Sequence, residues 1–431
     1  MSFQDEVVAL IRSGVMPALG CTEPGAVALA AAYAGKELGQ EKVSRIEITV
    51  DPNVYKNGVA VGVPGTGKVG LSIAAALGAL IREPALELSV LSRITPELLV
   101  EAGILLDEGR VGICLTDTQG LYVAVTVFSE HSKAKAVIEG SHTHLASLTR
   151  NDEPMAQSHQ SAINSQKPSL LHTSDATLAE LIDVVEAAPT LDFMFFEESI
   201  RMNVAAAQTG LDRRLGMAIG ATFQDLIAEK FLSDDLINHA KILTAAAADA
   251  RMSGENIPVM SVAGSGNHGL TAVLPVLAVA ERLQIPRDRL LKALAVSTLT
   301  TIYIKRYTGN LSALCGCAVA AATGACAAIV WMLGGSRDQI AASIKNMIAN
   351  LTGMICDGGK VGCALKLSAA AGVAVETALL TLKNVLVPET NGIIFASADD
   401  TIRNLGRVSN PGMLETDKVI IKIMQEKDKH Q

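Results

Sequence analysis

Apolar and polar residues alternate with period two across RIEITVD (45–51), the pattern of a strand with one buried face. GRVGICLTD (109–117) and LYVAVTVFS (121–129) repeat the alternation, and NGVAVGV (57–63) and NGIIFAS (391–397) read as two further strands. Helical spacing is expected over 4–12, 24–38 and 70–81. Thr22 is the expected N-cap of the second of these, with Pro24 in a first turn that needs no donor from it. From 175 to about 385 the spacing is helical almost throughout, punctuated by Gly, Pro and Asn at 253–258, 264–269, 308–310, 334–336 and 357–362. These helices are too apolar for a surface, so they predict a bundle with buried centres.

The expected fold class is therefore α+β: a mainly helical catalytic domain of buried Ala- and Gly-rich helices, plus a smaller α+β subdomain. Residues 1–44 would be N-terminal helices packing on the catalytic domain, 45–150 the α+β subdomain, and 176–425 the helical catalytic domain. The stretch 151–175 between them is polar, carries His159 and His172, and has no usable period.

Composition narrows the function. Of 431 residues, 49% are hydrophobic and 19% charged, which excludes global disorder. A net charge of −8 argues against nucleic acid or an anionic membrane surface as the main partner. Tyr307 to Ser336 contains no Asp, Glu, Lys or Arg, but it is rich in Gly, Ala, Ser, Thr and Cys. It reads as a buried core segment, and no membrane association is expected. MSFQDEVVALIRS lacks the basic start and long apolar core of a secretory signal, which points to the cytoplasm. The seven cysteines would then be thiols, metal ligands or nucleophiles, not disulfides.

GVPGTGKV (62–69) has the spacing of a phosphate-binding loop, and ILLDE (104–108) resembles its acidic strand. The residue after Lys68 should offer a hydroxyl to Mg²⁺, however, and Val69 cannot. The loop reads as the wall of some other site.

Cys114 and Cys326 lie in regular strand and helix patterns and read as small buried hydrophobes. In one continuous helix, Cys317 and Cys326 would face opposite ways and Cys315 and Cys326 would stand about 16 Å apart. At most one of the three could then join a cluster, unless the start of the run is unwound. Cys356 and Cys363, in CDGGKVGC, are bridged by a Gly-rich loop that can turn both sulfurs toward one point. With Cys317 they would make three ligands and leave a fourth position open, as catalytic metal sites do. Inert loop thiols are the other reading. Cys21 precedes a helix, where the positive end of the dipole would lower its pKa; alternatively it packs at a turn.

GCTEPG (20–25), DPNVYKNG (51–58), SGNHG (265–269), TGNLSALCGCAVAAATGA (308–325) and ANLTGMICDGGKVGCALK (349–366) resemble the L-cysteine desulfidase family. That family lies within the wider group of iron–sulfur L-serine dehydratase α-chains, and the likeness runs through nearly the whole chain. It implies a [4Fe–4S] cluster on Cys317, Cys356 and Cys363, with Cys315 as a rival to Cys317, and Cys21 as the catalytic thiol. It also implies β-elimination of L-cysteine to sulfide, ammonia and pyruvate. The dehydratases space their last two cysteines more widely than Cys356 and Cys363, which favours the desulfidase branch. L-Serine dehydration on the same cluster and a non-catalytic iron–sulfur sensor are the alternatives. The substrate would be a small amino acid, and a homo-oligomer is expected.

The substrate carboxylate needs donors. Thr22, Ser265, Asn267 and His268 are candidates, with Lys56, Asn57 and Thr66 closing the site from the α+β unit. Lys305 and Asn310 are further possibilities.

Overall fold

The computed structural model describes residues 2–118, 120–155, 176–309 and 312–428. His159, His172 and Asn310 lie outside the described residues, as does most of the connecting stretch.

The fold is α+β and mostly helical. The eight strands among the described residues are β1 (Val15–Leu19), β2 (Arg45–Val50), β3 (Val111–Leu115), β4 (Tyr122–Phe128), β5 (Lys133–Glu139), β6 (Leu145–Arg150), β7 (Glu153–Pro154) and β8 (Pro258–Val262). Six form one sheet in the order β3-β2-β4-β5-β6-β7, in which only the β2–β3 pair is parallel. The alternation in β2 buries Ile46, Ile48 and Val50 on one face, against the helices Thr22–Glu37 and Leu71–Ile81. Those two helices touch along their backbones. A Cβ on Gly35 would lie 2.4 Å from the Ala79 carbonyl oxygen, and one on Gly78 would lie 2.1 Å from that of Ala28.

The second core is helical. It gathers the Phe3–Ser13 helix and most of the chain from Leu178 to Leu405. The expected N-terminal unit is thus divided, because the first helix packs in the helical core and Thr22–Glu37 packs on the sheet. Antiparallel β1 and β8 link the two regions: β1 runs into Gly20 and Cys21, while β8 runs into Ser265 and Asn267. The last helix, Leu414–Asp428, returns to the α+β side and buries Ile421 there.

Several expectations fail locally. NGVAVGV is not a strand: Asp51 caps a helix, Pro52–Gly58, by accepting from the Asn53 and Val54 amides, and Pro52 opens it. NGIIFAS is a turn, in which Gly392 adopts a positive φ of 48° and only Ile394 is buried. Cys21, not Thr22, is the N-cap residue. ILLDE is not a strand: it ends the helix Pro96–Asp107, with Glu108 as the C-cap. The uncharged run from Tyr307 is broken, ending one helix at Thr308 and resuming with a π-turn at Cys317–Ala321 before the helix Ala322–Met332. Among the described residues, one helix is long and apolar enough to cross a membrane, Cys363–Leu382, and most of it is packed inside the fold.

Candidate active site

Four thiols lie near one another where the broken run passes the Gly-rich loop. The backbone at 313–315 pairs antiparallel with 354–356. The Cys315 amide donates to the Met354 carbonyl (2.9 Å), and the Cys356 amide donates to the Ala313 carbonyl (2.7 Å). Cys317 opens the π-turn, and Cys363 is the first residue of the helix Cys363–Leu382. The start of the run is unwound, so Cys315 and Cys317 both belong to the group. Their thiols share a hydrogen bond that holds Cys315 down to about 6 and pushes Cys317 up. Cys317 also feels the charges of Cys356 and Cys363. Burial raises Cys356, against the pull of Lys56, and pushes Cys363 up to about 11.

Cys326 stays out of the group, fully buried, with its thiol pushed up by burial. Cys114 was expected to be buried and is exposed instead, because β3 is an edge strand whose alternation turns that residue outward.

The thiols are ringed by cations. Lys56 has no exposed surface; its ammonium donates to the Ser312 carbonyl (3.2 Å) and pairs with Asp417 of the C-terminal helix. Lys366 donates to the Ile355 carbonyl (2.9 Å) and pairs with Asp357. Lys305, also buried, is lowered to about 8, chiefly by loss of water, and is held up in part by Cys317, Cys356 and Cys315. Gly316 admits this packing. A Cβ there would lie 2.4 Å from His268 Nε2 and 3.4 Å from Lys305 Nζ. On the other side, a Cβ on Gly358 would lie 2.0 Å from the Lys56 carbonyl oxygen, so the Pro52–Gly58 helix rests directly on the cysteine loop. Asn57 Oδ1 lies 4.0 Å from Cys356 Sγ.

A second group lies around Cys21. Arg251, at the end of the helix Leu236–Met252, donates from Nη2 to the Gly20 carbonyl (2.7 Å) and from Nη1 to Asn267 Oδ1 (2.9 Å). Asn267 Nδ2 in turn approaches Met252 Sδ (3.2 Å), and Met252 Cε lies 3.5 Å from a Cβ position on Gly359. Arg251, Asn267 and Met252 thereby join the Cys21 turn to the loop between Cys356 and Cys363. The expected lowering of the Cys21 pKa is overturned: burial pushes the thiol up, and the Arg251 guanidinium offsets only part of that.

The remaining candidates divide. His268 is buried and held neutral, lowered to about 3 by loss of water and by the neighbouring Lys305 charge. Ser265 is the N-cap residue of the helix Gly266–Arg282 and makes no capping bond. The Thr22 hydroxyl donates to Glu23 Oε2 (3.2 Å). Thr66 is consumed by its own loop: its hydroxyl donates to the Val63 carbonyl (2.7 Å) and accepts from the Lys68 amide (2.9 Å). That loop packs on the Cys21 turn by placing Pro64 against Gly20, and the Gly65 amide donates to the Gly254 carbonyl (3.3 Å). Arg251 and Lys366 were not among the sequence candidates. The one signal for Arg251 is a cation near the end of an otherwise apolar helical run, LTAAAADARM.

Among the described residues, no three His, Cys, Asp or Glu side chains converge as they would on a single ion. The donor set is nevertheless one of thiols, and iron–sulfur clusters take thiolates as ligands.

A family model for the serine dehydratase alpha chain matches residues 118–422. The chain belongs to the serine dehydratase alpha chain family. All four clustered cysteines and Arg251 fall within the matched part of this family, whereas Cys21, Lys56 and Asn57 precede it. Similarity to individual relatives covers nearly everything. A UPF0597 protein of Alkaliphilus oremlandii is 43% identical over 99% of each chain. One from Desulfatibacillum aliphaticivorans is 44% identical over 96% of each, and one from Clostridioides difficile is 43% identical over 97% of this chain and 99% of its own.

Proposed function

We propose that this chain is a carbon–sulfur lyase that eliminates the thiol of L-cysteine, giving sulfide, ammonia and pyruvate. The observation that supports this reading is the proximity of Cys315, Cys317, Cys356 and Cys363 amid buried lysines, joined to Cys21 through Arg251 and Met252. Cys317, Cys356 and Cys363 would hold a [4Fe–4S] cluster. When bound, such a cluster supplies a Lewis-acidic iron for the leaving group. The hydrogen bond with Cys315 makes Cys317, and burial makes Cys356 and Cys363, reluctant to ionise, and the ammonium groups of Lys56, Lys305 and Lys366 offset that cost in the ligated state.

The protein's own part is acid–base and positional. The Cys21 thiolate takes the Cα proton. The Cα–H electron pair becomes the Cα–Cβ π bond as the Cβ–S pair leaves on sulfur. The aminoacrylate tautomerises to an imine, which water hydrolyses to pyruvate and ammonia. Amides at the start of the Thr22–Glu37 and Gly266–Arg282 helices, with Thr22, Ser265, Asn267 and neutral His268, offer donors for the carboxylate. Lys56 and Asn57 close the site beside Cys356.

L-Serine dehydration is the second reading, favoured by the family to which the chain belongs. It differs only in the leaving group. Anaerobic reconstitution with iron and sulfide, followed by parallel assays of sulfide from L-cysteine and pyruvate from L-serine, decides between them. Faster turnover of cysteine is expected, a preference for serine would select the second reading, and no turnover of either would overturn both.

A further inference from the structure

Arg251 is 5% exposed, yet among the described residues no carboxylate pairs with it. A buried guanidinium without a counter-charge is costly and calls for a compensating partner. Its donors reach two backbone-defining points. Nη2 holds the carbonyl of Gly20, the residue before Cys21, and Nη1 holds Asn267 in the first turn of the Gly266–Arg282 helix. The group is locked from behind, because a Cβ on Gly266 would lie 2.4 Å from Nε and 2.8 Å from Cζ. Only glycine at 266 lets the guanidinium sit there.

We infer that Arg251 is the positioning residue of Cys21, tying the turn that carries the thiol to a fixed positive charge that stabilises the thiolate. The planar fork suits this role, since one side chain spans two anchors at once. It rests on the proposed use of Cys21 as a base, but it concerns the thiol itself and can be read without turnover.

Among the described residues, the other groups around Cys21 do not supply this charge. Glu23, on its own helix, opposes ionisation of the thiol. His268, next to Arg251, is neutral. Lys68 of the adjoining loop directs its ammonium toward Gly103. Arg251 is thus the cation that favours the Cys21 thiolate, and it does so against burial.

The test is the pH dependence of Cys21 alkylation by iodoacetamide in the intact, cluster-loaded protein, followed by mass spectrometry of the Cys21 peptide. Arg251→Gln should move the alkylation midpoint up by about one pH unit and slow alkylation near pH 7 by about tenfold. It should lower kcat with KM little changed, and leave the cluster absorbance intact. Arg251→Lys, which keeps the charge but cannot span both anchors, should shift the midpoint by a smaller amount in the same direction. If Arg251→Gln does not fold, Arg251→Lys carries the test. An unchanged midpoint in the folded variants, or a rise in KM alone, would overturn the inference. If the chain eliminates neither amino acid, the alkylation result still stands or falls by itself.

Discussion

Cys315 and Cys356 stand at the two ends of one short antiparallel bridge between Leu314 and Ile355, the amide of Cys315 reaching the carbonyl of Met354 and the amide of Cys356 reaching that of Ala313. This bridge lays two chain segments some forty residues apart alongside each other, with Cys317 two residues beyond Cys315 in the first and Cys363 seven residues beyond Cys356 in the second. The ligand assignment is therefore testable thiol by thiol. Cys356→Ala and Cys317→Ala should abolish both the cluster absorbance and turnover, whereas Cys315→Ala should retain the absorbance. Loss of the spectrum in Cys315→Ala with its retention in Cys317→Ala would exchange the two roles.

Gly316 is the tightest point between the thiols and the buried cations. A methyl group there would need His268 Nε2 to move from 2.4 Å. Gly316→Ala should destabilise the fold by about 1–3 kcal/mol, the usual cost of overpacking. Displacement of His268 and Lys305 should lower turnover by a larger factor, on the order of 100-fold. Thermal unfolding and kcat measured on the same preparation separate the two effects, and native kcat in this variant would show that the packing does not matter to catalysis.

The order in which these features become visible follows from how far each signal travels along the chain. Period-two alternation found β2, β3 and β4 because one face of each packs on a core. It misled at 57–63, where Asp51 and Pro52 start a helix whose end feeds a loop, and the spaced valines bury into different neighbours. The loop thiols of Cys356 and Cys363 were legible from glycine spacing. The joint presence of Cys315 and Cys317 was not, since it depends on a π-turn that no residue pattern announces. Arg251 was hidden because its partners, Gly20 and Asn267, lie on other elements. Thr66 read as a candidate because a Gly-rich loop was in view, but its hydroxyl closes that loop.

The Lys56–Asp417 pair ties the Pro52–Gly58 helix to the C-terminal helix across the cysteine loop. Asp417→Asn would leave a fully buried ammonium donating to the Ser312 carbonyl without its carboxylate partner. Breaking a buried pair from one side costs about 3–5 kcal/mol, and the partial exposure of Asp417 places this case near the lower figure. Urea unfolding should show the loss, and Lys56→Met combined with Asp417→Leu should recover part of it. An additive double variant would mean that the two groups do not interact.

His268 makes stability fall in acid by a route that can be isolated. Its folded pKa, about 3, lies below the unfolded value of 6.5 because burial and Lys305 disfavour the imidazolium. Between these values the unfolded chain binds more protons than the folded one, so stability rises with pH across that window. The contribution is complete above pH 6.5 and is withdrawn progressively as the pH falls toward 3. His268→Gln removes the titration while keeping a polar group of similar reach. Its stability between pH 4 and 6.5 should therefore vary less steeply than that of the native protein, as read from denaturant midpoints at several pH values. Equal slopes for the two proteins would mean that His268 takes up its proton in the folded state, and that the neutral imidazole assigned to the site is wrong.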